Sequence, residues 1–272
     1  MTTVDAATLR ALSDIAVRAA LAGTEVVRAS GGPGNIEAKG AGDYVSDVDR
    51  RSEDAVARLL RGQTPEIPVL GEETGGPTGN RYWAVDPLDG TANFLHGFPV
   101  VGVSVALVAE GRPVVGAVSA PFLDLLFVAV RGGGAELRDG SGSARRLRTS
   151  DREPGAAIVA TGFPFRDKTL VARYVPAFER CFERFEDLRR AGAAALDLAW
   201  VAAGVFDGFF ELNLSPWDVA AGALLVQEAG GRVSDWAGGG SWLDSGDILA
   251  GSPAVHAALL EVARGGRSSD LR

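Results

Sequence analysis

The sequence predicts an α/β protein in two halves, an α+β N-terminal half at residues 1–145 and an α/β C-terminal half at 146–272. Three observations carry this: helical apolar spacing up to Leu60, strand-like runs between Ile67 and Val130, and alternating strand and helix patterns after Ala157. A chain of 272 residues with a hydrophobic fraction of 46% can bury a sizeable core.

Leu9, Leu12, Ile15, Ala16, Ala19 and Val26 recur at helical spacing, which predicts an amphipathic helix from about Ala6 to Arg28 ended by Gly31, Gly32, Pro33 and Gly34. A second helix is expected over Asp49 to Leu60. The period then shortens to that of strands at Ile67 to Leu70, Tyr82 to Val85, Val100 to Ala109, Pro113 to Ala120 and Leu125 to Val130. Gly111-Arg112 and Gly132 to Gly134 supply turns. Beyond a loop at Gly140 to Ser150, strands are expected at Ala157 to Thr161, Phe209 to Leu212 and Ile248 to Ala250. Helices are expected at Leu170 to Phe182, Ala193 to Ala203, Pro216 to Ala229 and Ala254 to Ala263, with a frayed tail from Gly265. The site is expected between the halves.

Composition removes several classes of function. A net charge of -8 and the lack of a basic run argue against direct nucleic-acid binding. The single cysteine, Cys181, excludes an intramolecular disulfide, a structural zinc site and an iron–sulfur cluster, and favours a reducing compartment. No apolar run reaches membrane-spanning length, and the first residues lack the pattern of a signal peptide, so a cytoplasmic protein is expected.

The informative residues are carboxylates at element ends. Asp86-Pro87-Leu88-Asp89-Gly90-Thr91 follows a short strand, with Pro87 expected to stop ladder pairing and Gly90 to allow a tight turn. Glu72 follows the strand at Pro68 to Leu70. Asp218 falls in the first turn of the helix opened by Ser215-Pro216, where the dipole favours its ionised form. Each admits a plainer role as a surface turn, a solvated loop or, for Asp218, part of a capping box with Ser215. Together they form an oxygen donor set suited to Mg²⁺.

The segments Gly71-Glu72-Glu73, Asp86-Pro87-Leu88-Asp89-Gly90-Thr91-Ala92-Asn93-Phe94 and Pro216-Trp217-Asp218-Val219-Ala220-Ala221-Gly222 resemble the inositol monophosphatase family, Mg²⁺-dependent and lithium-sensitive phosphomonoesterases. The likeness runs from Lys39 to Gly231 in the family's order and spacing. It implies a layered α-β-α-β-α sandwich of the inositol monophosphatase and fructose-1,6-bisphosphatase type, and a homodimer. It also implies that Glu72, Asp86, Asp89, Asp218 and the Leu88 carbonyl hold two or three Mg²⁺ per subunit. Gly90 and Thr91 would receive the phosphate, as helix starts receive anions. Asp49 and Thr91 would polarise the attacking water, with Glu72 counted beside them as catalytic. Lys39 and Asp43 match a mobile segment that helps hold a further metal.

Covalent routes fit poorly. Cys181 lacks an Arg six residues on, Arg51 stands where an aspartyl-phosphate motif beginning at Asp47 would need Thr or Val, and the two histidines, His96 and His256, are too few for a phosphohistidine route. Direct attack by a metal-activated water remains. Glu211 matches the family's acceptor of inositol hydroxyls, and Gly192, Ala193 and Ala194 match the segment that contacts the ring, with Ala193 where Ser or Thr is usual. The expected function is hydrolysis of inositol monophosphate. The alternatives are histidinol-phosphate phosphatase, another sugar or nucleotide phosphatase, or a regulatory binding protein of the kind some bacterial relatives provide to the transcription machinery.

Overall fold

A computed structural model describes residues 5–32, 34–40, 43–139 and 143–265. Helix α1 (Ala6–Ala29) starts where Asp5 accepts the amides of Ala7 and Thr8 at 2.9 and 3.0 Å. An antiparallel hairpin, β1 (Ile36–Gly40) and β2 (Asp43–Ser46), leads into α2 (Asp47–Gln63). Seven strands then form one sheet in chain order: β3 (Val69–Gly71), β4 (Arg81–Asp89), β5 (Gly102–Ala109), β6 (Arg112–Ala120), β7 (Leu125–Val130), β8 (Gly134–Asp139) and β9 (Ala144–Arg146). The β3–β4 pair is parallel and the others antiparallel, and the short α3 (Thr91–Leu95) lies between β4 and β5.

The second half runs β10 (Ile158–Thr161), α4 (Val171–Arg184), β11 (Asp187–Arg189), α5 (Ala194–Ala202), β12 (Gly208–Glu211), α6 (Pro216–Glu228), β13 (Arg232–Ser234), α7 (Trp242–Ser245), β14 (Ile248–Gly251) and α8 (Pro253–Arg264). Its five strands lie in the order β11-β10-β12-β14-β13, with β10 parallel to β11 and β12, and β14 antiparallel to β12 and β13.

Alternation of side chains across each strand builds the layers. On β4, Trp83 and Val85 pack with Leu12, Ala16, Val56 and Leu60 of α1 and α2, whereas Tyr82 and Ala84 face the opposite core. That central core contains Leu196, Leu198 and Val201 of α5 and Val219, Leu224 and Leu225 of α6, and it takes Phe209 from β12. Phe210, the next residue, points outward to Tyr174 and Cys181 of α4 and Leu259 of α8. The result is the expected sandwich: α1 and α2, the seven-stranded sheet, α5 and α6, the five-stranded sheet, then α4 and α8. Helices α5 and α6 are apolar nearly all round because both their faces meet a sheet.

The structure departs from the expected elements in three places. Pro87 does not end β4: pairing leaves the ladder after Asp86 with Ser104 and resumes at Asp89 with Gly102, and Pro87 sits in the bulge between, where its missing N–H breaks no bond. Strand β9 stands within the expected loop at Gly140 to Ser150, and β1, β2, β8, β11 and β13 fall where no strand was expected. The expected boundary at 145/146 falls inside β9, the exposed edge of the large sheet. The expected frayed tail after Gly265 lies outside the described residues.

Candidate active site

The site forms where β3 and β4, running parallel, end together. The Glu72 amide donates to the Val85 carbonyl at 3.1 Å, so the residue after β3 is tied to the strand that carries Asp86. The buried Glu53 of α2 accepts the amides of Glu73 and Thr74 at 2.7 and 2.9 Å and the Thr74 hydroxyl, which fixes the turn around Glu72. In the β4 bulge the Leu88 amide donates to Asp86 Oδ1 at 2.9 Å. Asp218 enters from the other half. Its Oδ2 accepts the Ser215 amide at 2.6 Å, and Ser104 Oγ of β5 donates to the Trp217 carbonyl at 3.0 Å, pinning the start of α6 to the large sheet.

Asp89 joins the two halves as well. Its Oδ1 and Oδ2 accept the amides of Ala194 and Ala195 at 3.1 and 2.8 Å, so this carboxylate caps α5. Burial, followed by the carboxylates of Glu72, Asp89 and Asp218, pushes the Asp86 carboxyl well above its ordinary range. Burial and then Asp218 push Asp89 up to about 7 against the pull of its amide donors. The charge of each of these acids is felt by at least one of the others.

Among the described residues, no three His, Cys, Asp or Glu side chains converge closely enough to hold a metal ion as they stand. The donor chemistry nonetheless suits a hard divalent cation: every donor is oxygen, and buried like charges need a counter-ion or protons.

Thr91 and Asp49 are brought together from α3 and α2. The Thr91 hydroxyl lies 3.0 Å from Asp49 Oδ1 and 3.2 Å from the Leu88 carbonyl. Asp49 is 1% exposed, and its Oδ2 accepts the Ser46 amide at 2.9 Å in a capping box that opens α2. Between β4 and α3, Gly90 adopts φ 88° and passes so close to the Val100 carbonyl that a β-carbon would stand 2.9 Å from it.

Gly90, Thr91, Gly192, Ala193, Ala194, Glu211 and Asp218 all line one cavity of about 140 Å³, with Asp89 beside them. Glu211 closes down over Gly162, where a β-carbon would collide with its carboxylate. Burial and then Asp218 raise Glu211 to about 8, while Arg190 and, more weakly, Arg166 oppose the shift. Asp49, Glu72, Asp86 and Leu88 are not part of the cavity wall. The backbones of Lys39 and Asp43 lie in the β1–β2 hairpin, whose Tyr44 reaches the cavity; the side chains of Lys39 and Asp43 lie outside the described residues. His96 is an exposed C-cap of α3, and Cys181 is a buried thiol that burial pushes up to about 12.

Four residues that the sequence reading left without a role belong to the site. Glu53 clamps the Glu72 turn, and only its place beside apolar neighbours on a helix could have marked it. Asn93 Nδ2 donates to the carbonyls of Val100 and Ala191 at 2.7 and 2.9 Å and ties the Gly90 turn to the segment before Gly192. Arg190 stacks over Phe163 and Phe165 at 5.9 and 6.0 Å, and Asp197 sits buried at the cavity. Asn93, Arg190 and Asp197 stand inside or next to the segments that carry the resemblance, which is the signal that could have found them.

Carboxylates brought together from the end of the large sheet and the start of α6, in a five-layered sandwich, define a class of layered α/β proteins. The chain belongs to the inositol monophosphatase family, whose model matches residues 8–266. A putative Nus factor SuhB of Neisseria meningitidis serogroup B is 44% identical over 247 residues, 89% of this chain and 93% of that protein. An inositol-1-monophosphatase of Mesorhizobium japonicum is 41% identical over 261 residues, 93% and 96% of the two chains. The crystal structure of the extragenic suppressor protein suhB from Bartonella henselae superposes with a TM-score of 0.86 at 39% identity, covering 94% of this chain and all of that one. Among the described residues no helix is long and apolar enough to cross a membrane.

Proposed function

We propose that the protein is a Mg²⁺-dependent phosphomonoesterase that hydrolyses inositol monophosphate or a closely similar polyol phosphate by direct attack of water. The observation that carries this reading is the shared placement of the Thr91–Asp49 pair, the Gly90 turn and the acidic cluster beside one cavity that also holds Glu211. Glu72, Asp86, the Leu88 carbonyl, Asp89 and Asp218 would hold two or three Mg²⁺. When bound, these supply positive charge for the phosphoryl and leaving-group oxygens and acidify the attacking water.

The chain's own residues do the rest. The Gly90 and Thr91 amides hold the phosphate at the start of α3. The Thr91 hydroxyl takes a proton from the water as its own hydrogen passes to the Asp49 carboxylate, and it orients the water's lone pair toward phosphorus. The water oxygen bonds to phosphorus, the bond from phosphorus to the ester oxygen breaks, and the released alkoxide takes up a proton from a solvent water, which the proton held by the Thr91–Asp49 pair replaces. Glu211 holds the alcohol through its hydroxyls, and Arg190 and Arg166 offset the negative charge around it. Lys39 and Asp43 would serve a further metal from the β1–β2 hairpin.

The test is a panel of phosphomonoesters assayed with Mg²⁺ for kcat/KM, run on wild type and Glu211→Gln. Inositol phosphate should lead the panel. Glu211→Gln should weaken it by about 1–3 kcal/mol, the size of a lost charged hydrogen bond, while sparing an aryl phosphate. Equal loss on both esters would remove Glu211 from substrate recognition and with it the inositol reading.

The name of the Neisseria relative favours a second reading, a regulatory protein of the transcription machinery. An enzyme inactive on the whole panel that nevertheless binds a transcription complex would establish that reading instead.

A further inference from the structure

Helix α5 brings one more carboxyl to the cavity. Asp197 lies in its first turn, with its amide donating to the Ala193 carbonyl at 2.9 Å. Its side chain lines the cavity, yet the residue is only 1% exposed. Oδ1 has no hydrogen-bond partner among the described residues. The carboxyl is not needed to cap the helix, because Asp89 already accepts the amides of Ala194 and Ala195. The charged groups that face it are Asp89, Glu211 and Arg190, all three of them on the same cavity.

A buried carboxyl oxygen without a hydrogen-bond partner costs free energy that an alanine or leucine here would not, so its presence calls for a ligand group that it can bind. Just before it in the chain, Gly192, Ala193 and Ala194 line the cavity and carry no side-chain donor or acceptor. Glu211, Arg190 and Asp197 are polar side chains that line the cavity outside the proposed metal ligands.

We infer that Asp197 is a second hydroxyl-binding carboxyl of the cavity, acting with Glu211 to select phosphate esters of alcohols that present at least two free hydroxyls. The inference rests on the phosphomonoesterase reading above and adds to it a residue that sets specificity. Glu211 reaches the alcohol from β12 and Asp197 from α5, so the two meet different hydroxyls of one ring.

The experiment compares Asp197→Leu and Asp197→Asn with wild type on inositol 1-phosphate and an aryl phosphate at saturating Mg²⁺, with a thermal melt of each protein. Asp197→Leu should lower kcat/KM for inositol phosphate about tenfold, chiefly through KM, and leave the aryl ester within about twofold. Asp197→Asn keeps an acceptor oxygen and should lose less. Should Asp197→Leu fail to fold, Asp197→Asn is read against inositol phosphates lacking one hydroxyl each: one missing hydroxyl should cost the variant less than it costs wild type. An equal fall on both esters, no fall on inositol phosphate, or the same penalty for every missing hydroxyl in both proteins would overturn the role of Asp197 alone. Wild type inactive on both esters would overturn the phosphomonoesterase reading itself.

Discussion

The Thr91–Asp49 pair is a small device with a large expected effect. Asp49 is buried and already satisfied on Oδ2, which leaves Oδ1 to fix the Thr91 hydroxyl and nothing else. A hydroxyl so held can hand its own hydrogen to Asp49 and turn a lone pair toward water. Thr91→Ala or Asp49→Asn should therefore cut turnover on every phosphomonoester, by about 10²- to 10⁴-fold for a lost general base, with little change in KM. Steady-state kinetics on two unrelated esters checks it, and a loss confined to one ester would assign the pair to substrate selection. Thr91 stood out in the sequence because it lies in a local motif, and Asp49 only through the family resemblance. Asn93 and Arg190 lay in view without a role, since what they bind is backbone and aromatic rings supplied by distant segments.

At the scale of elements, the positions of the proposed metal ligands depend on how strands and helices end. Glu53 of α2 holds the turn after β3 through two amides and one hydroxyl, and no local pattern around Glu53 announces a loop that lies twenty residues on. Glu53→Gln keeps the shape and replaces one charged acceptor by an amide. It should cost about 1–3 kcal/mol of stability and raise the Mg²⁺ concentration needed for half-maximal activity, because Glu72 rides on that turn. Melts and Mg²⁺ titrations measure the two effects; an unchanged Mg²⁺ requirement would make the clamp purely structural.

The strands missed by the sequence share one physical cause. β9 is wholly exposed and β8 mostly half-exposed, so they carry Glu136, Arg138, Arg145 and Arg146 in place of apolar alternation, and ladder hydrogen bonds to a neighbour hold them as strands. Likewise Pro87 is compatible with β4 only because a bulge lets the ladder skip it.

Across the whole molecule, the two halves meet at carboxylates that repel one another. Asp218 starts a helix of the second half, Asp86 and Asp89 end a strand of the first, and Asp89 is bonded to α5. A divalent cation there should stabilise the fold as well as the reaction. The sign with pH follows from Asp89: its folded value of about 7 lies above the ordinary 3.8, so its contribution favours the cation-free fold at low pH and is lost as pH rises toward 7. Mg²⁺ competes with those protons, and its gain in Tm should be larger at about pH 8 than at about pH 5. Thermal melts with and without Mg²⁺ at both pH values test this; a gain independent of pH would place the cation elsewhere.

The sequence by itself determined the helix and strand character of the apolar segments, the acidic motifs and the family resemblance, because periodicity and short-range turn chemistry are written in neighbouring residues. It also made a thiol route a poor fit, and the structure buries Cys181. Only the tertiary structure decided that Asp89 would bind α5, that Glu53 would hold the Glu72 turn, that Pro87 would sit inside a strand, and that Asp197 would face Glu211 across one cavity. Those pairings join residues far apart in the chain, and their energies come from burial and from backbone groups with no side-chain signature. Such terms exist only once the sheets and the helices between them have packed.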